Sequence, residues 1–180
     1  MTGGDNIILV SGSPRGNSNT ERMLNAVLDV TGGELIRVTD HKIKPCTSCR
    51  FCVENKGCCI DDDMQELYLK LLNADAIILG TPVYFNNVSA QLKAFMDRTW
   101  CLRGSLKNKI AGAVAVGRGY GLEGALTALN SFFLKHEMLV ANRGVSTSAF
   151  DVGELDDDAL DDCRKLGERV IELKKNRKTV

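Results

Sequence analysis

Short apolar runs alternate along the chain with longer stretches in which apolar residues recur every three or four positions. Asn6-Ile7-Ile8-Leu9-Val10 is a continuous apolar run ending in Ser11-Gly12-Ser13-Pro14, the pattern of a buried parallel strand followed by a loop. Met23, Leu24, Val27 and Leu28 follow at helical spacing, with Ser18, Asn19 and Thr20 as candidate caps. Gly32-Gly33 closes that helix, and Glu34 to Val38 reads as a second strand. After a segment from about His41 to Ile60, Asp61-Asp62-Asp63 opens a helix whose apolar face is Leu67, Leu71 and Leu72. Ala76 to Gly80 is a third strand, Thr81 to Asn87 a loop, and Val88 to Trp100 a helix. Ile110 to Val116 is a fourth strand and Gly117 to Gly121 a glycine-rich loop, followed by a helix to about His136. A fifth strand lies within Leu139 to Ser148. The last helix carries Leu155, Ala159, Cys163, Leu166 and Val170 on one face and ends in a basic tail, Lys174 to Lys178.

Five strands alternating with helices predict an α/β fold, a doubly wound parallel sheet with helices on both faces. With no repeat, linker or composition break, residues 1–180 read as a single domain. Five strands favour the flavodoxin-like order 2-1-3-4-5, with a cysteine-rich loop after strand 2. A ligand then belongs beyond the carboxyl ends of the strands, between strands 1 and 3. Three loops should meet there: Ser11–Thr20, Thr81–Asn87 and Gly117–Gly121.

Composition narrows the function classes. Lys+Arg and Asp+Glu are both 23, so the net charge is zero and no broad basic field invites nucleic acid. The apolar runs are too short for a membrane span. Met1-Thr2-Gly3-Gly4-Asp5 carries no secretory pattern, so a cytoplasmic, reducing setting is expected. No Ser-His-Asp or paired-carboxylate hydrolase arrangement is recognisable.

Seven cysteines stand out in such a setting, and five of them lie between Cys46 and Cys59. Cys46, Cys49, Cys52 and Cys58 read Cys-x2-Cys-x2-Cys-x5-Cys. Two successive three-residue spacings let one tight loop aim three thiolates at one centre, and Gly57 lets the chain turn back with a fourth. Four thiolates suit either a [4Fe–4S] cluster or tetrahedral zinc. Zinc more often uses two separated Cys-x-x-Cys pairs, so the triple spacing favours iron–sulfur. Cys59 adjoins Cys58, so spacing leaves open which of the two is the fourth ligand. Cys101 and Cys163 fall on or beside predicted helices and read as buried apolar residues.

The loop after strand 1 has a different chemistry. Ser11, Ser13, Ser18 and Thr20 offer hydroxyls at a helix N-terminus, Arg15 adds charge, and Asn17 and Asn19 complete a polar nest suited to a phosphate. No Gly-x-x-x-x-Gly-Lys-Ser/Thr is present, which excludes a triphosphate P-loop.

Ser-Gly-Ser-Pro-Arg-x-x-Ser-Asn-Thr, from Ser11 to Thr20, resembles the phosphate loop of the NAD(P)H-dependent FMN reductases. Gly80-Thr81-Pro82-Val83-Tyr84-Phe85-Asn86-Asn87-Val88-Ser89, followed by Leu92 to Arg98, resembles their second flavin segment. The resemblance implies FMN, with Pro82, Val83, Tyr84, Phe85 and Asn86 along the isoalloxazine ring. The cysteine motif, inserted after strand 2 of such a chain, resembles that of the archaeal iron–sulfur flavoproteins. This implies a [4Fe–4S] cluster on Cys46, Cys49, Cys52 and, by the family's spacing, Cys58. It also implies a homodimer or homotetramer.

Gly119-Tyr120-Gly121-Leu122-Glu123-Gly124 matches Gly-x-Gly-x-x-Gly, but only one strand follows it and no acidic residue sits where a ribose would need one. Gly117, Gly119 and Gly121 read instead as a loop beside the flavin edge. His41 reads as a surface residue and His136 as complementing a helix dipole. Trp100, Phe132 and Phe133 read as core or interface residues. The expected activity is that of an FMN-dependent oxidoreductase passing electrons from a ferredoxin-like one-electron donor to a small two-electron acceptor. Its rivals are a cluster-free NAD(P)H-dependent FMN or quinone reductase and a flavin-free zinc-binding module.

Overall fold

The structure is a computed structural model that describes residues 6–177; the Met1–Asp5 segment and the last residue of the basic tail, Lys178, lie outside them. The elements follow in the order β1 (Ile7–Ser11), α1 (Asn19–Thr31), β2 (Glu34–Arg37), α2 (Phe51–Glu54), α3 (Met64–Asn73), β3 (Ala76–Pro82), α4 (Ala90–Arg98), β4 (Ile110–Gly117), α5 (Leu122–Lys135), β5 (Leu139–Val140), β6 (Val145–Ser148) and α6 (Asp157–Arg177). Every strand pairing is parallel, and the order is β2-β1-β3-β4 with β5 and β6 both on the far side of β4.

The flavodoxin-like order is the expected one, but the fifth strand is broken. Asn142 and Gly144 interrupt it: Gly144 has φ of 98°, and its amide donates to Asn142 Oδ1 at 2.8 Å. A side chain cannot easily take that backbone, so the edge leaves the sheet and rejoins it as β6.

Alternation within the strands divides the core. Ile7, Leu9 and Ile78 face Met23, Leu24 and Val27 of α1 and Cys163, Leu166 and Val170 of α6. Ile8, Val10, Ile77 and Leu79 face α3, α4 and α5 through Leu67, Leu92, Phe95, Leu129 and Phe133. A strand with both faces covered needs apolar residues at every position, which is why β1 is fully buried and reads as a continuous run. Cys163 is the buried apolar residue that its helical spacing predicts, and burial pushes its thiol pKa up to about 12.

Candidate functional site

Two cavities among the described residues bear on function. The first lies at the carboxyl ends of the strands, holds about 400 Å³, and is lined from all three loops expected there: Ser13, Arg15, Ser18, Asn19 and Thr20 from the first, Pro82, Val83, Tyr84 and Phe85 from the second, Gly117, Arg118 and Tyr120 from the third. A fourth loop, Ala149 to Val152, completes the wall. Its only sequence signal was its place after the last strand.

Ser18 caps α1, its hydroxyl accepting from the Glu21 amide at 3.3 Å. Glu21 reaches back to accept from the Asn17 amide at 2.9 Å, and Arg37 Nε meets its other oxygen at 2.7 Å. That ion pair balances a carboxylate that would otherwise sit beside a negatively charged ligand. Ser13 Oγ accepts from the Arg15 amide at 3.2 Å, which folds the loop around its own hydroxyl. Asn19 spends both ends of its amide on the fourth loop: Nδ2 donates to the Asp151 carbonyl at 2.8 Å, and Oδ1 accepts from the Gly153 amide at 2.9 Å. It therefore joins two walls of the cavity.

Thr20 is different. It is 1% exposed, lines the cavity, and its hydroxyl has no hydrogen-bond partner. A buried hydroxyl left unpaired is unfavourable by roughly 1–3 kcal/mol. Beside the free amides of a helix N-terminus it supplies what a phosphate oxygen needs. The residues present therefore fit a phosphorylated ligand.

Ser11, Asn17, Asn86, Gly119 and Gly121 do not line this cavity. Ser11 is buried, and its hydroxyl accepts from the Ser13 amide at 3.3 Å. Gly119 takes a left-handed backbone (φ 93°) without crowding, whereas Gly121 and Gly124 are explained by packing. A Cβ on Gly121 would lie 2.4 Å from Asn86 Cα, and one on Gly124 would lie 2.4 Å from the Asn86 carbonyl oxygen. The two glycines let the Tyr84–Asn87 turn press against the start of α5, which makes Asn86 a supporting residue and the last two glycines of the Gly-x-Gly-x-x-Gly pattern a packing seam.

The second cavity, about 800 Å³, lies between the cysteine loop, the C-terminal end of α4 and α5. Cys46, Cys49, Cys52, Cys58 and Cys59 all line it, and so does Cys101. The last corrects an expectation: Cys101 is half-buried on the cavity wall and is not a core residue. Burial raises its thiol pKa, and its Sγ meets the Arg98 carbonyl at 3.4 Å. Trp100 is exposed at the rim, with Arg103 5.8 Å and Lys135 5.4 Å from its ring. Phe132 is on the wall, while Phe133 is core.

Within the loop α2 is a single turn, entered through left-handed Ser48 (φ 54°) and Arg50 (φ 64°). The Phe51 amide and then the Cys59 thiol hold the Cys49 thiol below its ordinary pKa. Cys49 and Cys59 sulfurs are 3.5 Å apart, which raises the Cys59 thiol. Cys59 is exposed, whereas Cys58 is half-buried against the core that includes Tyr68 and Leu67. All seven cysteines are free thiols. Among the described residues no three metal-binding side chains gather on a point. The donor chemistry, six thiols around one cavity with five of them from a single loop, fits a thiolate-bound cluster.

His136 ends α5 as its C-cap, as expected, and is buried on the wall of this cavity. Thr99 Oγ1 lies 2.7 Å from the Met96 carbonyl and 3.0 Å from His136 Nε2, and His136 Nδ1 is buried without a partner. Burial, and then Lys135, lower the His136 pKa.

Helix α4 connects the two cavities. Its cap, Ser89, donates to the Gly12 carbonyl of the first loop at 2.6 Å, and its last residue, Arg98, reaches the cysteine loop. Nine helical residues span about 13 Å.

The family model for NADPH-dependent FMN reductase matches residues 6–153. An iron–sulfur flavoprotein of Methanocaldococcus jannaschii is 40% identical over 187 residues, covering 94% of this chain and 97% of its own. An iron–sulfur flavoprotein of Methanosarcina thermophila is 38% identical over 141 residues, 73% of this chain and 74% of its own. Among solved structures, a flavodoxin, WrbA-like protein from Agrobacterium tumefaciens superposes with a TM-score of 0.72 at 22% identity, over 96% of this chain and 99% of its own, a likeness of fold.

Proposed function

The chain belongs to the NADPH-dependent FMN reductase family and, within it, to the iron–sulfur flavoproteins; on that premise we propose that it carries FMN in the first cavity and a [4Fe–4S] cluster in the second, and passes electrons between a ferredoxin-like one-electron carrier and a small two-electron acceptor. The observation that carries this reading is the separation of chemistries: a helix N-terminus with an orphaned buried hydroxyl in one cavity, six free thiols around another. When bound, the flavin exchanges electrons singly or in pairs and the cluster one at a time, so the pair joins one-electron to two-electron chemistry.

The chain supplies position and environment. Ser13, Ser18, Thr20 and the first amides of α1 hold the phosphate, with Arg15 at the rim and Asn19 bracing the opposite wall. Pro82, Val83, Tyr84, Phe85 and Gly117 form the wall that takes the flavin ring. Cys46, Cys49, Cys52 and Cys58 are the cluster ligands. Cys58 completes the set from the inner wall, and Cys59 stands beside Cys49 at the outer rim. No side chain is required as an acid or base. The functional unit is a homodimer or homotetramer of one-domain chains. No described helix is long and apolar enough to cross a membrane, consistent with a cytoplasmic redox protein.

Anaerobic purification followed by a visible spectrum, chromatography of the heat-released flavin, and iron, sulfide and zinc analysis tests the proposal. The expected protein is brown, releases FMN and holds about four irons per chain. A bright yellow protein without iron would place the chain with cluster-free reductases. A colourless one with zinc would overturn both cofactors.

A further inference from the structure

Arg98 ends α4 with its side chain fully buried and turned towards the cysteine loop. Nη1 donates to the Lys44 carbonyl at 2.8 Å and to Asp62 Oδ2 at 2.6 Å. Nη2 donates to Asp62 Oδ1 at 2.9 Å and to the Ile60 carbonyl at 3.3 Å. Lys44 lies just before the first cysteine of the loop and Ile60 just after the last. One guanidinium therefore holds both feet of the segment. Asp62 reinforces it from the other side, accepting from the Lys44 amide at 2.9 Å and the Met64 amide at 3.1 Å. Two more side chains from outside the motif hold the cysteines by their own backbone. Gln65 Nε2 donates to the Cys58 carbonyl at 3.0 Å, and Arg103 Nη1 donates to the Cys52 carbonyl at 2.8 Å.

Stability alone is a weak reason for such an arrangement. A buried ion pair gains little over well-packed apolar residues, because both charges must leave water. Its geometry is another matter. The planar guanidinium fork makes all four bonds at once, two of them bidentate to the carboxylate, which an ammonium with three donors cannot do. Closing the feet also removes part of the chain entropy that four ligands would otherwise lose on converging.

We propose that Arg98 and Asp62, with Gln65 and Arg103, are positioning residues for the cluster: they close the cysteine loop at its base and set Cys52 and Cys58 through their carbonyls, so that the ligands are presented together. The inference rests on the iron–sulfur reading above. It predicts that loop order in the iron-free chain and cluster retention in the loaded one depend on the same side chains.

The test compares the full chain with its Arg98→Lys, Arg98→Met, Gln65→Ala and Arg103→Ala variants. Each is reconstituted anaerobically with ferrous iron and sulfide. Iron loss to a chelator, the cluster reduction potential and FMN content are measured, and the loop thiols of the iron-free chain are alkylated. Both Arg98 variants should lose iron about tenfold faster or more, with a displaced potential, faster alkylation and unchanged FMN. Lysine should not rescue, because the fork and not the charge is needed. Gln65 and Arg103 are exposed, so their variants should fold and show smaller changes in the same direction. Arg98→Lys matching the parent in iron retention, potential and alkylation would overturn the inference. If the Arg98 variants do not fold, surface variants indistinguishable from the parent overturn it instead. A parent that takes up no iron sinks the cluster reading, while the alkylation arm still decides whether these residues order the loop.

Discussion

Around the N-terminus of α1 the groups that carry chemistry are buried: Ser13 is 2% exposed, Ser18 5% and Thr20 1%. In the cysteine loop the reactive groups are outermost, with Cys46, Cys49 and Cys59 exposed, and the buried polar groups lie beneath them in Arg98 and Asp62. On the proposed assignment, the difference follows from what each region has to hold. A phosphate is recognised by neutral donors, mostly backbone, whose directions are set by the sheet edge from which they emerge. A cluster is recognised by thiolates on flexible carbons, which a loop must gather, so the rigidity has to come from side chains underneath. One region is organised by secondary structure and the other by a tertiary clamp.

Cysteine substitutions break this comparison most sharply. Ser at Cys46, Cys49, Cys52 or Cys58 should take iron from about four per chain to near zero while FMN stays bound, because the cavities share no lining residue. Cys163→Ser should leave iron unchanged and lower stability by roughly 1–3 kcal/mol, since its hydroxyl would enter an apolar core. Cys59→Ser should retain iron. If it loses iron and Cys58→Ser does not, the fourth ligand is the outer residue of the pair.

The reverse case is Ser13→Glu. A carboxylate in the nest repels a phosphate and fills its space, so FMN affinity measured by titration of the apoprotein should fall by about tenfold or more. Iron content should not change. Unchanged affinity would show that this loop does not hold the phosphate.

Thr20→Val separates ligand recognition from folding. Removing an unpaired buried hydroxyl should leave the apoprotein as stable or more stable in a denaturant melt, while FMN binding weakens by about 1 kcal/mol, roughly fivefold. If the variant loses stability and keeps its affinity, the hydroxyl serves the fold and not the ligand.

The smallest effect concerns pH. His136 has a depressed pKa in the folded chain, so the unfolded chain binds its proton first as pH falls. Its contribution to stability is complete above the ordinary histidine range near 6.5 and is lost progressively below it. His136→Gln should flatten the stability profile just below that pH and leave it unchanged at pH 8. An identical profile would place the acid sensitivity elsewhere. Acid should loosen the cysteine loop separately and at lower pH: burial raises the Asp62 pKa, but Arg98 and the Lys44 and Met64 amides outweigh it and keep the carboxylate charged.

Much of this was legible in the chain itself. The continuous runs at Ile7 and Ala76 announced buried parallel strands, and the cap of α1 was narrowed to Ser18, Asn19 or Thr20, because a cap's hydroxyl acts only three residues along. The cysteine spacing and the serine-rich loop were legible for the same reason, being chemistry written within a few consecutive residues. Arg98 was not. It stood at the end of the segment that resembles a flavin wall, and nothing nearby in the sequence hinted that it grips Lys44 and Ile60. Nor did any local signal show that Asn19 bonds the Asp151 carbonyl, that Gly121 and Gly124 make room for Asn86, or that Cys101 shares a cavity with the loop cysteines. Local pattern determined the elements, the order of their chemistry and the classes of ligand, because hydrophobic period, capping and ligand spacing act over a turn or two of chain. Only the tertiary structure decided which polar groups are paired, which are left open and what stiffens the cysteine loop, because those contacts join residues far apart in sequence and exist only once the sheet has brought them together.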